Sequence, residues 1–136
     1  MGKMVSINPA TGEVNGEFEL YSASRINIAI KKAGTAFIEW KNLDVSERAE
    51  YLKNAAKVLR RRKNELGKII TMEMGKVIKE SVPEIEKCAL AFEYFAQNTG
   101  GFLEPEVAET DAKKAYVEFV PIGVYEFMNI RSISVV

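Results

Sequence analysis

The sequence predicts an α+β fold: an N-terminal β-hairpin, four helices, then a second, long β-hairpin. Three observations predict it. Val14, Gly16, Phe18 and Leu20 alternate with Asn15, Glu17 and Glu19 behind a turn, the period of a half-exposed strand. The middle of the chain instead spaces its apolar residues three and four apart, as Ile26, Ala29, Ile30, Ala33, Phe37 and Trp40 do, the period of an amphipathic helix. Beyond Gly100 and Gly101 the alternation returns in residues 104 to 109 and 115 to 120.

The elements follow in order. Residues 4 to 7 read as a short strand, and Asn8-Pro9-Ala10-Thr11-Gly12 turns it back, with Pro presetting φ and Gly accepting a positive one. Ser22 or Ser24 can cap the first helix, about residues 23 to 41, in which Phe37 and Trp40 read as core. Gly34 in its middle costs about 1 kcal/mol relative to Ala unless another backbone packs on it. Asp44-Val45-Ser46-Glu47 has capping-box spacing, and Ala49, Leu52, Ala56 and Leu59 form the inner face of a second helix that breaks near Asn64. Leu66, Ile69, Ile70 and Met74 continue as a short third helix, which Gly75 ends in a left-handed turn. Ser81 and Pro83 open a fourth, with Val82, Ile85, Ala89, Phe92 and Ala96 on one face and Leu90, Tyr94 and Phe95 adding apolar surface elsewhere. Asn98 to Gly101 break it. The polar turn 110 to 114 then joins the two last strands into a hairpin that needs a partner surface, such as another subunit.

At 136 residues the chain suits one domain or part of one. Its 19 basic and 19 acidic residues cancel, so no basic field invites nucleic acid. With no His and one Cys, internal disulfides, zinc sites and His-dependent triads are excluded. No apolar run approaches the roughly 18 to 20 residues that span a bilayer, and no signal-peptide pattern is seen, so a cytoplasmic protein with no membrane partner is expected.

Three features invite a chemical reading. Glu73 sits seven residues after Leu66 on an apolar face, where burial can raise a carboxyl pKa toward general-base use. Without a His, Ser or Cys nearby in sequence, it reads better as a structural acceptor for a backbone amide or a neighbouring Lys or Arg. Arg60-Arg61-Arg62-Lys63 resembles a phosphate patch, but Glu47, Glu50 and Glu65 lie close, and a solvated helix end fits better. Cys88, beside Lys87, reads as a small core residue because no base or oxyanion loop accompanies it.

Ser6-Ile-Asn-Pro-Ala-Thr-Gly-Glu13, Ala36-Phe-Ile-Glu-Trp40, Glu47-Arg48-Ala49, Leu66 through Glu73-Met74-Gly75-Lys76, and Glu118-Phe-Val-Pro-Ile-Gly123 resemble, in order and near the same spacing, the start of an NAD(P)-dependent aldehyde dehydrogenase. The Asn-Pro-Ala-Thr-Gly-Glu turn looks most like the succinate-semialdehyde dehydrogenase branch. The resemblance covers residues 4 to 123, about the first quarter of such an enzyme, and departs at Val77, where the family usually carries Pro.

The resemblance implies an α+β fragment of an α/β enzyme. Residues 1 to 99 would be the hairpin and helices of the cofactor-binding domain, 100 to 123 an oligomerisation-type hairpin, and 124 to 136 a non-homologous tail. A full-length member binds NAD or NADP and uses a Cys nucleophile, a Glu base and an oxyanion-holding Asn in a Trp-Asn-Pro segment. All of these lie beyond the matched part. Asn129 lacks flanking Trp and Pro and takes no oxyanion role, and no G-x-G-x-x-G is present. No catalytic, cofactor-binding or metal residue is therefore expected in this chain, and no cofactor bound by it alone. A change of reading frame just after Gly123 is the expected origin of residues 125 to 136. Two functions are implied: an inactive N-terminal fragment of the dehydrogenase, or a non-enzymatic interaction module. The module would form a homo-oligomer or pair with the remainder of the dehydrogenase.

Overall fold

The computed structural model describes residues 2–124. Strands β1 (Lys3–Ile7) and β2 (Val14–Glu19) pair antiparallel, with Met4 opposite Phe18 and Val5 opposite Glu17. The register shifts between Ser6 and Ile7, leaving Asn15 as the extra residue of a bulge, a device that re-aims one side chain. Gly12 takes a φ of 74°, and its N–H donates to Asn8 O at 2.8 Å, as the turn chemistry predicts.

Helix α1 (Ala23–Trp40) is capped by Ser22, whose hydroxyl accepts from Arg25 N at 3.2 Å. Helix α2 (Val45–Met74) opens on the predicted Asp44/Glu47 capping box and closes at Gly75, φ 70°, whose N–H donates to Thr71 O at 2.9 Å. Helix α3 spans Ile78–Phe102.

Three helices thus stand, among the described residues, where the sequence predicts four. No break occurs at Asn64, because Leu59, Leu66 and Ile70 keep one inward face across it and pack with Ile85. An exposed Asn costs only a few tenths of a kcal/mol in a helix interior, less than giving up that face. Helix α3 also starts earlier than predicted. The carbonyl of its N-cap residue, Val77 O, accepts from Glu80 N at 2.8 Å and Ser81 N at 3.0 Å, so Ser81 is interior rather than a cap. Pro83 then sits inside the helix, leaving Lys79 O without its usual donor. At the other end α3 runs through Gly100 and Gly101. Asn98 Nδ2 and Thr99 Oγ1 donate back to Tyr94 O and Phe95 O at 2.7 and 2.6 Å, satisfying carbonyls instead of ending the helix.

The second hairpin is shorter than predicted. Strands β3 (Glu106–Val107) and β4 (Tyr116–Val117) hold two residue pairs, with one further bond from Ala108 N to Ala115 O at 2.9 Å. Pro105 offers no N–H to extend the ladder, and among the described residues no helix packs substantially on either face. Val107 is accordingly 86% exposed.

The core is the seam between α2 and α3. Ile85 is 1% exposed, and Ala49, Ala56 and Ala89 are small enough to let the helices approach. At Gly67 the fit is closest, since a Cβ there would lie 2.6 Å from Val82 Cγ2. Helix α1 has no buried residue, so Phe37 and Trp40 are not the core positions predicted. Trp40 is 40% exposed and meets the Tyr51 ring edge-on at 4.9 Å between centroids, while Phe37 is half-buried.

Candidate functional site

The predicted suspect, Glu73, lies half-buried in the last turn of α2, where the first hairpin docks. The Ser6 hydroxyl donates to Glu73 Oε1 in a short bond. The bulged Asn15 reaches in from β2, its Nδ2 3.2 Å from Ser6 Oγ and 2.9 Å from Met72 O. Pro9 covers the helix end, 3.0 Å from where a Cβ on Gly75 would stand. Glu73 is therefore the terminal acceptor of a donor chain that fixes the hairpin on α2. Its donor is a hydroxyl 67 residues away rather than the backbone amide or nearby cation expected. A carboxylate is too weak a base to ionise a serine hydroxyl, and no third group orients the pair for nucleophilic chemistry.

The basic run is not a helix end. It lies in mid-α2, and Arg60 crosses to α3, where Nε donates to Glu86 Oε1 at 2.5 Å and Nη2 to Glu93 Oε2 at 2.8 Å. Lys63 Nζ stands 3.5 Å from Glu86 Oε2, while Arg62 pairs within α2 with Glu65. Hydrogen bonds from Arg60 hold the Glu86 and Glu93 carboxyls below the usual carboxylate range. Those same bonds, Glu93 first and then Glu86, raise the Arg60 pKa. With three of the four cations answered by carboxylates, Arg60 and Lys63 act as an interhelical clasp rather than as part of a phosphate patch. Cys88 is half-buried on α3, Lys87 beside it is exposed, and both stay apart from Glu73's junction.

Nothing among the described residues is shaped to cradle a pyrophosphate. The N-terminus of α1 is taken by Ser22 and that of α2 by Asp44 and Glu47, and α3 carries Glu80 in its first turn. These donor sets do not fit a dinucleotide. No group of three Asp, Glu or Cys side chains converges on a metal-sized site among the described residues. No helix there is long and apolar enough to cross a membrane.

Two hollows remain. One, about 790 Å³, lies between the arms of the β3–β4 hairpin, open to solvent and lined by charged and small side chains such as Lys113 and Ala115. The other is an apolar groove of about 420 Å³ lined by Trp40, Tyr51, Leu52, Phe92 and Phe95 together with Arg48. Arg48 Nε is buried there with no hydrogen-bond partner. Sequence reading did not single out Ser6, Asn15 or Arg48 as polar contacts. The bulge that aims Asn15 leaves no mark in the alternation, and Arg48 follows the cap at ordinary helical spacing.

Comparison with known proteins gives the class of the molecule. The aldehyde dehydrogenase family model matches residues 2–128, and the chain belongs to that family. The match runs five residues past Gly123, to Met128; Asn129 and the rest of the tail lie outside the described residues. The succinate-semialdehyde dehydrogenase (NADP+) of Deinococcus radiodurans is 34% identical over 119 residues, covering 88% of this chain and 25% of that protein. The succinate semialdehyde dehydrogenase (NAD(P)+) Sad of Escherichia coli K12 is 34% identical over 119 residues, covering 88% and 26%. Among solved structures, succinic semialdehyde dehydrogenase from Streptococcus pyogenes, in complex with NADP+, superposes with a TM-score of 0.77 at 30% identity, over 82% of this chain and 25% of that one. The chain thus spans about a quarter of the length of the relatives it matches.

Proposed function

We propose that the chain is the N-terminal quarter of an NAD(P)-dependent enzyme that oxidises an aldehyde, succinate semialdehyde, to its carboxylate, and that these 136 residues alone turn over no substrate. The observation that carries this reading is the family match over residues 2–128 together with relatives named for that substrate. In this reading Glu73 stays structural, residues 1 to 99 cover the cofactor-binding domain of a cytoplasmic oligomer, and 100 to 123 serve the oligomer. NAD or NADP binds only when the rest of the enzyme is present. The alternative is a non-enzymatic module that self-associates or pairs with a separate dehydrogenase fragment, which equimolar co-purification with such a fragment would favour; the apolar surface left open is what the fragment reading expects. Ile30, Leu90, Tyr94 and Phe95 are all about half exposed.

The test is complementation. The 136-residue chain is mixed with the Deinococcus radiodurans relative shortened by its matched 119 residues, and NADPH formation from succinate semialdehyde is followed. No turnover by either piece and turnover by the mixture is the expected result. Turnover by the chain alone would overturn the reading, and so would a mixture that neither associates nor reacts.

A further inference from the structure

We infer that Asn15 is a modification site, a place of spontaneous deamidation with Gly16 as the attacking group, and that the product unlatches the first hairpin from α2. Three observations carry it. Asn15-Gly16 is the one Asn-Gly step in the sequence, and glycine, having no Cβ, leaves its backbone nitrogen unshielded. The bulge leaves Asn15 without a partner across the ladder, since Ser6 faces Gly16 and Ile7 faces Val14, and Asn15 is only half-buried, so water reaches it. The amide nitrogen at stake is also the group that spans the junction, donating to Ser6 Oγ at 3.2 Å and to Met72 O at 2.9 Å.

The chemistry balances with water as the only co-reactant. Gly16 N bonds to Asn15 Cγ, the Cγ–Nδ2 bond breaks, and Nδ2 leaves as ammonia with the proton from Gly16 N, which closes a cyclic imide. Water then opens the ring at Cγ, giving aspartate, or at the Asn15 carbonyl carbon, giving an isoaspartyl link that runs the backbone through Cγ. Neither product keeps the amide donor. Ser6 Oγ and Met72 O each lose it, and the aspartate product sets a carboxylate beside Glu73, against the negative C-terminal end of α2. Closing the ring also takes Nδ2 off Met72 O, so the docked hairpin slows the reaction and a loosened one speeds it.

The experiment incubates the 136-residue chain in mildly alkaline buffer, where a backbone N–H ionises more readily, and follows every Asn by peptide mass spectrometry. Asn15 is expected to convert first, roughly tenfold slower in Gly16→Ala and roughly twofold faster in Ser6→Ala. Gly16→Ala keeps the hairpin, since its Cβ would meet the Phe18 ring at an ordinary 3.5 Å. Asn15→Asp, which supplies one product directly, should be cut by thermolysin within residues 2 to 20 several-fold faster than wild type with α2 helicity retained, and so should the deamidated fraction of aged wild type. Conversion of Asn15 no faster than that of the other asparagines, or undiminished in Gly16→Ala, overturns the assignment. An unchanged rate in Ser6→Ala overturns the gating by the junction. Thermolysin resistance of the deamidated fraction equal to that of fresh wild type overturns the unlatching.

Discussion

Helices α1 and α3 look alike in sequence, each with a clear apolar stripe, yet they end differently. On α3 the stripe from Val82 to Ala96 meets α2, burying Ile85 and Ala89 completely, while on α1 the equivalent stripe buries nothing. Amphipathic spacing reports that a helix wants a partner. It does not report whether that partner lies in the same stretch of chain. The two hairpins repeat the lesson: β1–β2 is tied to α2 by Ser6, Asn15 and Pro9, whereas β3–β4 stands almost alone.

This contrast can be broken by mutation, beginning with the largest effect. Replacing Ile85 by Ala empties a site that is 1% exposed and is expected to destabilise by about 3 kcal/mol in urea unfolding. The same truncation at Ile30, 50% exposed on α1, is expected to change stability by less than about 0.5 kcal/mol.

A pair of glycines sharpens it next. Gly67→Ala drives a methyl to 2.6 Å from Val82 Cγ2 and 3.2 Å from its backbone, and a loss of about 2 kcal/mol should appear as a lower urea midpoint. Gly34→Ala meets nothing within 4 Å among the described residues, so helix propensity alone acts and helicity by circular dichroism should rise, with a gain of up to about 1 kcal/mol.

Smaller again is the hairpin junction. Ser6→Ala removes the donor to Glu73 and is expected to cost about 1 kcal/mol, read as faster proteolysis within residues 2 to 20 before any loss of α2 helicity.

The clasp on Arg60 contributes least and through pH. Glu86 and Glu93 are lowered in the folded chain, so the unfolded chain binds more protons in acid. Their contribution is therefore fully present above the ordinary carboxylate pKa and is lost as pH falls through the lowered folded values. The urea midpoint should drop across that acid window in wild type and drop less in Arg60→Met. These side chains are about one-third exposed, which keeps the effect modest.

Much of this was legible in the sequence. The Asn8 to Gly12 turn, the Asp44/Glu47 box, the Gly75 stop and the α3 stripe stand where local chemistry puts them, because caps and turns are decided by residues a few positions apart. Asn64 and Asn98 to Gly101 misled for the opposite reason: local breaker signals there lose to packing and to side chains that bond the preceding turn. Glu73 was legible as a structural acceptor, but its partner Ser6 was not, since a bond across 67 residues exists only once the bulge has formed. Arg60 belonged to a run that local charge explained well enough, and only the approach of α3 shows that it reaches across. Family resemblance, in contrast, needed no folding at all, being carried by ordered motifs from Ser6 to Gly123.

The most direct test of the contrast is amide hydrogen exchange on the 136-residue chain. Slow exchange is expected for residues 52 to 70 and 81 to 96 along the α2–α3 seam, and fast exchange for α1 and the β3–β4 hairpin, with α1 becoming protected when the shortened dehydrogenase is added. Protection of α1 equal to that of the seam in the chain by itself would contradict it, for that would mean the stripe from Ile26 to Trp40 already has its partner.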